Sequence, residues 1–175
     1  MKKIKTIVSG LLIGAMMMSF AGCASVKARD KKEVKDILKE KLELKKDKDF
    51  KNRSYDDYDY FYGESGKAYF SIYIYDDEDD AADVFDDLYD SYEDDLEDDV
   101  FDGKIKLKSS DTSGYVTFKG ECTDDDAECF LEDEYYYGGV YYADNMVIRV
   151  SASKDKDNAR DDVNAFLKAF GLPKP

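Results

Sequence analysis

The sequence predicts a single-domain α+β fold, an antiparallel β-sheet with amphipathic helices packed mainly on one face. Three observations predict it. Helical and alternating hydrophobic periodicities succeed one another in the order helix, strands, helix, several strands, helix. The strands of the second half follow each other too closely for βαβ crossovers. Aromatic residues are plentiful, with 15 Tyr and 10 Phe, which sets the chain apart from disordered acidic segments even though 38% of its residues are charged.

Val34, Ile37, Leu38 and Leu42 recur at helical spacing between Asp30 and about Leu44, and predict an amphipathic helix that the polar stretch DKDFKNRS breaks. Tyr55 to Tyr62 and Ala68 to Tyr75 predict a strand pair around Gly63-Glu64-Ser65-Gly66. On the second of these, Phe70, Ile72 and Ile74 share one face and Tyr69, Ser71, Tyr73 and Tyr75 the other. The acidic run Asp76 to Asp80 opens a helix along Ala81, Val84, Phe85, Leu88, Tyr92 and Leu96, where negative charge complements the helix dipole. Phe101-Asp102-Gly103 reads as a turn, with short strands at Ile105 and Leu107 and at Tyr115 to Lys119. The segment between the cysteines reads either as a capped helical turn or as a hairpin tip. Tyr135 to Ala143 and Met146 to Ala152 predict a hairpin across Asp144-Asn145, with Gly138-Gly139 as a bulge or second turn. Ala159, Val163, Phe166, Leu167 and Phe170 predict a last helix, stopped by Gly171 and Pro173.

The start of the chain has a different character. Lys2, Lys3 and Lys5 precede fifteen uncharged residues, Thr6 to Phe20. Spanning a bilayer takes roughly 20 apolar residues, so this run suits the core of a secretory signal peptide better than an anchor. The run closes on Phe20-Ala21-Gly22-Cys23. This stretch resembles the lipobox of bacterial lipoproteins, with Phe20 in place of the usual Leu. The resemblance covers the first 23 residues. It implies cleavage before Cys23 and a diacylglycerol on its thiol, with residues 1–22 as signal peptide, 23–29 as tether and 30–175 as an acidic globular domain. It also implies an exported protein on the outer face of the cytoplasmic membrane, or at the outer membrane of a Gram-negative host, since Ala24 is not the retention signal Asp. The C-terminal stretch from Gly138 resembles, in style only, small lipoproteins of low-GC Gram-positive bacteria, and transfers no functional residue.

Charge is distributed unevenly. Residues 24–53 hold 12 Lys and Arg against 7 Asp and Glu, whereas residues 54–175 hold 11 against 34. The basic stretch adjoins the expected lipid, where each cation near an anionic surface contributes about 1 kcal/mol. A solvated Lys-rich helix explains the same stretch equally well. The acidity of the rest disfavours nucleic acid as a partner.

The chain has no His, which removes the usual general base and the His-dependent nucleophiles. Cys122 and Cys129 read as a disulfide closing a short loop, with free thiols and a metal site as rivals. Asp124, Asp125, Asp126 and Glu128 form an acidic cluster inside that loop, a weak calcium candidate; Asp155 to Asn158 imitate an EF-hand start that then fails at Arg160 and Phe166. Paired carboxylates for a hydrolase are available by chance almost anywhere in so acidic a chain. The leading expectation is a non-catalytic binding or interaction module without cofactor, its partner an envelope protein or glycan. Tyr135, Tyr136, Tyr137, Tyr141 and Tyr142 are the candidate contact surface, and Tyr55, Tyr58, Tyr60 and Tyr62 form a second tyrosine row. Tyr also has high strand propensity, and placing half of each row in the core is the favoured reading over a contact surface.

Overall fold

The computed structural model describes residues 26–97, 101–122, 137–152 and 158–175. Helix α1 covers Lys31–Asp36 and continues as one π-helical turn, Ile37–Lys41. Its start is a reciprocal cap. The Asp30 side chain accepts from the Lys32 and Glu33 amides, and the Glu33 carboxylate accepts from the Asp30 amide. It ends earlier than predicted because Glu43 adopts a positive φ of 56° and the Leu42 amide closes on the Ile37 carbonyl.

Seven strands follow: β1 (Phe50–Ser54), β2 (Tyr58–Ser65), β3 (Ala68–Tyr75), β4 (Phe101–Lys108), β5 (Ser113–Cys122), β6 (Tyr137–Ala143) and β7 (Met146–Ala152). Helix α2 (Glu78–Glu97) lies between β3 and β4, and α3 (Ala159–Phe170) follows β7. The sheet order is β1-β2-β3-β7-β6-β5-β4, and every neighbouring pair is antiparallel. Two meanders thus meet where β3 pairs with β7. This is the predicted α+β class, in one compact unit.

Both faces of the sheet carry helices. Val34 and Leu38 of α1, and Val163, Phe166, Leu167 and Phe170 of α3, bury Phe50, Phe61, Phe70, Ile72, Met146, Ile148 and Val150 on one face. On the other face, Ala81, Phe85 and Tyr92 of α2 bury Val116, Phe118, Val140, Tyr142 and Val147. Strand alternation sorts the two sets, so β7 sends Ile148 to one core and Val147 to the other. The helix α2 reaches β4 to β7 and borders β3 at Tyr73 and Tyr75. It leaves that face of β1 and β2 uncovered.

Four local expectations change. DKDFKNRS does not only break the first helix: Phe50–Ser54 within it forms β1, and an edge strand needs only Phe50 to face the core. Gly63 and Glu64 lie within β2, and the turn falls at Gly66, whose φ is 65°. Phe101-Asp102-Gly103 is the start of β4 rather than a turn. Gly138-Gly139 is neither bulge nor turn, since the β6–β7 register runs through it unbroken. A Cβ at Gly138 would stand 2.2 Å from the Val150 carbonyl oxygen, so glycine there permits a close approach of β7.

Candidate functional site

The uncovered part of the sheet is built from tyrosine. On β2, Tyr58, Tyr60 and Tyr62 alternate with core-side residues, and on β3 Tyr69, Tyr73 and Tyr75 point the same way. The register sets Tyr58 opposite Tyr75, Tyr60 opposite Tyr73 and Tyr62 opposite Ser71. Tyr60 stacks on Tyr73 with centroids 4.6 Å apart and on Tyr62 at 4.8 Å. Tyr55, in the turn before β2, stacks on Tyr58 at 4.8 Å. Such aromatic pairs across strands stabilise a sheet face that none of the described helices covers.

Most of these rings are half-buried, but Tyr55 and Tyr69 are 46% and 38% exposed. Because the rings stack on one another, a partner meets their edges and hydroxyl groups more than their faces. The Arg53 guanidinium caps the Tyr62 ring at 5.5 Å from its centroid. A hydrogen bond with Tyr55, then the phenol of Tyr62, holds Arg53 above its ordinary pKa. Tyr60 is held well above the usual phenol range, first by burial and then by its hydrogen bond with Tyr73. Burial likewise raises Tyr75. At neutral pH Tyr60 and Tyr75 therefore stay neutral phenols on the face that carries the Arg53 cation. Beyond Tyr62, around the β1 edge, an open groove of about 550 Å³ passes Lys48, Asp49, Lys51 and Glu64.

The other tyrosine row is different. Tyr137, Tyr141 and Tyr142, expected at a surface, are 6%, 0% and 4% exposed. Each buried phenol finds an acceptor: Tyr137 the Asn164 carboxamide, Tyr141 the Pro173 carbonyl at 2.8 Å and Tyr142 the Asp111 carbonyl. Burial pushes Tyr141 well above the ordinary range. β6 is central in the sheet and covered by α3 on one face and α2 on the other, so its tyrosines are core residues that satisfy their hydroxyls. Tyr135 and Tyr136 lie outside the described residues. The sequence signal that separates the rows is local: Tyr58, Tyr60 and Tyr62 alternate strictly, whereas Tyr141 and Tyr142 are adjacent and must face both cores.

Cys122 ends β5, while Cys129, Asp124, Asp125, Asp126 and Glu128 lie outside the described residues, as does Cys23. Among the described residues, no group of three or more Cys, Asp or Glu gathers to hold a metal, and no helix is long and apolar enough to cross a membrane. Asp59 is held in its charged form. Burial works to raise it, but hydrogen bonds from Lys31 and Ser54 and the charges of Lys31 and Lys35 hold it below the carboxylate range. No protein-family model, curated protein or solved structure matches the chain.

Proposed function

We propose that the chain is a lipid-anchored, non-catalytic binding module of the cell envelope, and that it contacts its partner through the tyrosine face of β2 and β3. The observation that carries this reading is the uncovered sheet face with Tyr55, Tyr58, Tyr60, Tyr62, Tyr69, Tyr73 and Tyr75 beside Arg53. Tyr and Arg are the residues that dominate protein contact surfaces, because they combine rigid area with hydrogen-bonding ends. A stacked, low-relief face suits a broad partner, an envelope protein or a glycan, better than an enclosed small molecule. The anchor belongs to Cys23, on the strength of the signal-type segment that precedes it.

Two variants test the two halves. Cys23→Ala is expected to leave the protein uncut and without lipid, read by the mass of its amino-terminal peptide. The double variant Tyr62→Ser with Tyr69→Ser is expected to stay folded and lipidated but to run free of any larger envelope complex on a native gel. A double variant that remains in the same complex as the wild type contradicts the tyrosine face as the contact.

A further inference from the structure

The helical layers on the two faces of the sheet differ in charge. Helix α2 carries eleven acidic residues and no basic one. The layer on the other face begins with the basic amino-terminal segment, and it continues in an unexpected place, on β4 and β5. Ile105 and Leu107 turn toward the α2 core, so Lys104, Lys106 and Lys108 turn toward the α1 and α3 side. Lys119 stands directly opposite Lys104 in the ladder, and Lys104, Lys106 and Lys119 are exposed. Like charges directly opposed on neighbouring strands are destabilising, so this stripe is a cost to the isolated sheet. Asp102 shares the face at the far end of the strand. Lysines also blunt a sheet edge, but edge protection does not require a fourth lysine on the inner strand β5.

The amino-terminal segment runs along the same side of the sheet. Val26 is already buried in the core shared by α1 and α3. Arg29 donates from Nη2 to the Phe170 carbonyl at 3.0 Å, and Lys41 from Nζ to the Ala169 carbonyl at 3.4 Å. The first described residues are thus fastened against the end of α3. Two residues, Ala24 and Ser25, lie between Cys23 and Val26, and three residue steps span at most about 11 Å. A lipid on Cys23 would hold the folded body within about one screening length of the bilayer, because the Debye length is about 8 Å at physiological salt.

We infer that the domain docks flat on an anionic lipid surface through its α1 and α3 side and the lysine stripe of β4 and β5, with the tyrosine face and acidic α2 turned outward. The inference rests on the lipid anchor proposed above. Headgroup phosphates relieve the Lys104–Lys119 repulsion, and each lysine near the surface strengthens docking about fivefold. The acidic α2 is repelled, which fixes the orientation. The partner-binding face then points away from the membrane without any spacer.

The test uses the full lipidated chain inserted into preformed vesicles of phosphatidylcholine, or of phosphatidylcholine with phosphatidylglycerol. Lysines are labelled from outside with an amine-reactive reagent and quantified by peptide mass. Lys27, Lys104, Lys106 and Lys119 are expected to be labelled about fivefold less on the anionic vesicles, while Lys51, exposed on the opposite sheet face, is unchanged. In the triple variant Lys104→Glu, Lys106→Glu, Lys119→Glu, Lys27 should lose that protection while Cys23 keeps its lipid. Equal labelling on both vesicles, with the diacylglycerol present on Cys23, overturns the docking and leaves the anchor standing. Absence of lipid on Cys23 overturns both.

Discussion

Tyr60 stacks on Tyr73 across β2 and β3, with ring centroids 4.6 Å apart and planes 23° from parallel. The pair stands at the centre of the uncovered face, flanked by Tyr62 along one strand and Tyr75 along the other. One face of the pair's neighbourhood is α2 and its core; the other is solvent. The pair therefore joins the α2 core to the solvent-facing tyrosines.

That stacking should be measurable as a coupling. In a double-mutant cycle, Tyr60→Ala and Tyr73→Ala are expected to be non-additive by about 1 kcal/mol in chemical denaturation. Additive losses would mean that the two rings contribute independently.

Asp59 gives an acid limb to stability. Its folded pKa lies below the unfolded value because Lys31 and Ser54 outweigh the effect of burial. A depressed carboxylate stabilises fully above the unfolded pKa of about 3.9 and loses that contribution as pH falls through the folded value. Asp59→Asn is expected to cost about 1 kcal/mol at neutral pH. The gap between variant and wild type should close below about pH 4. A gap that persists at low pH would locate the effect in packing instead.

The buried tyrosines give the alkaline limb. Tyr60, Tyr75 and Tyr141 are all raised, foremost by burial. Raised phenols keep the folded state favoured below the unfolded pKa of about 10, and that contribution is lost as pH climbs through their folded values. Ultraviolet titration should therefore show a late-ionising class that becomes normal in denaturant. Circular dichroism should show unfolding together with that late ionisation.

Gly138 tests the sheet itself. Alanine there would set a methyl group 2.2 Å from the Val150 carbonyl oxygen, near the start of β6. Gly138→Ala should cost about 3 kcal/mol, since backbone must move to admit it. A well-tolerated alanine would mean that β6 and β7 are farther apart than described.

Much of the fold was legible because its signals are local. The alternation of Phe70, Ile72 and Ile74 with Tyr69, Ser71, Tyr73 and Tyr75 gave β3 and both of its faces. Helix α3 was readable at both ends, and Gly171 closes it with φ 73° while the Leu172 amide returns to the Leu167 carbonyl. What was not legible depended on position in the sheet. FKNRS could become β1 only at an edge, where one inward residue suffices. Gly138-Gly139 resembles a turn until β7 is known to press against it. The tyrosine rows look alike in composition, and only the topology shows that β6 is covered on both faces while β2 is covered on one.

The most direct measurement is photocrosslinking in cells, with a benzophenone side chain at Tyr55 or Tyr69, the two most exposed tyrosines of the face, and at Val84 on α2 as a control. The account predicts one recurrent product from Tyr55 and Tyr69, absent from Val84. A recurrent product from Val84 with none from either tyrosine, in protein that is folded and lipidated, would contradict it.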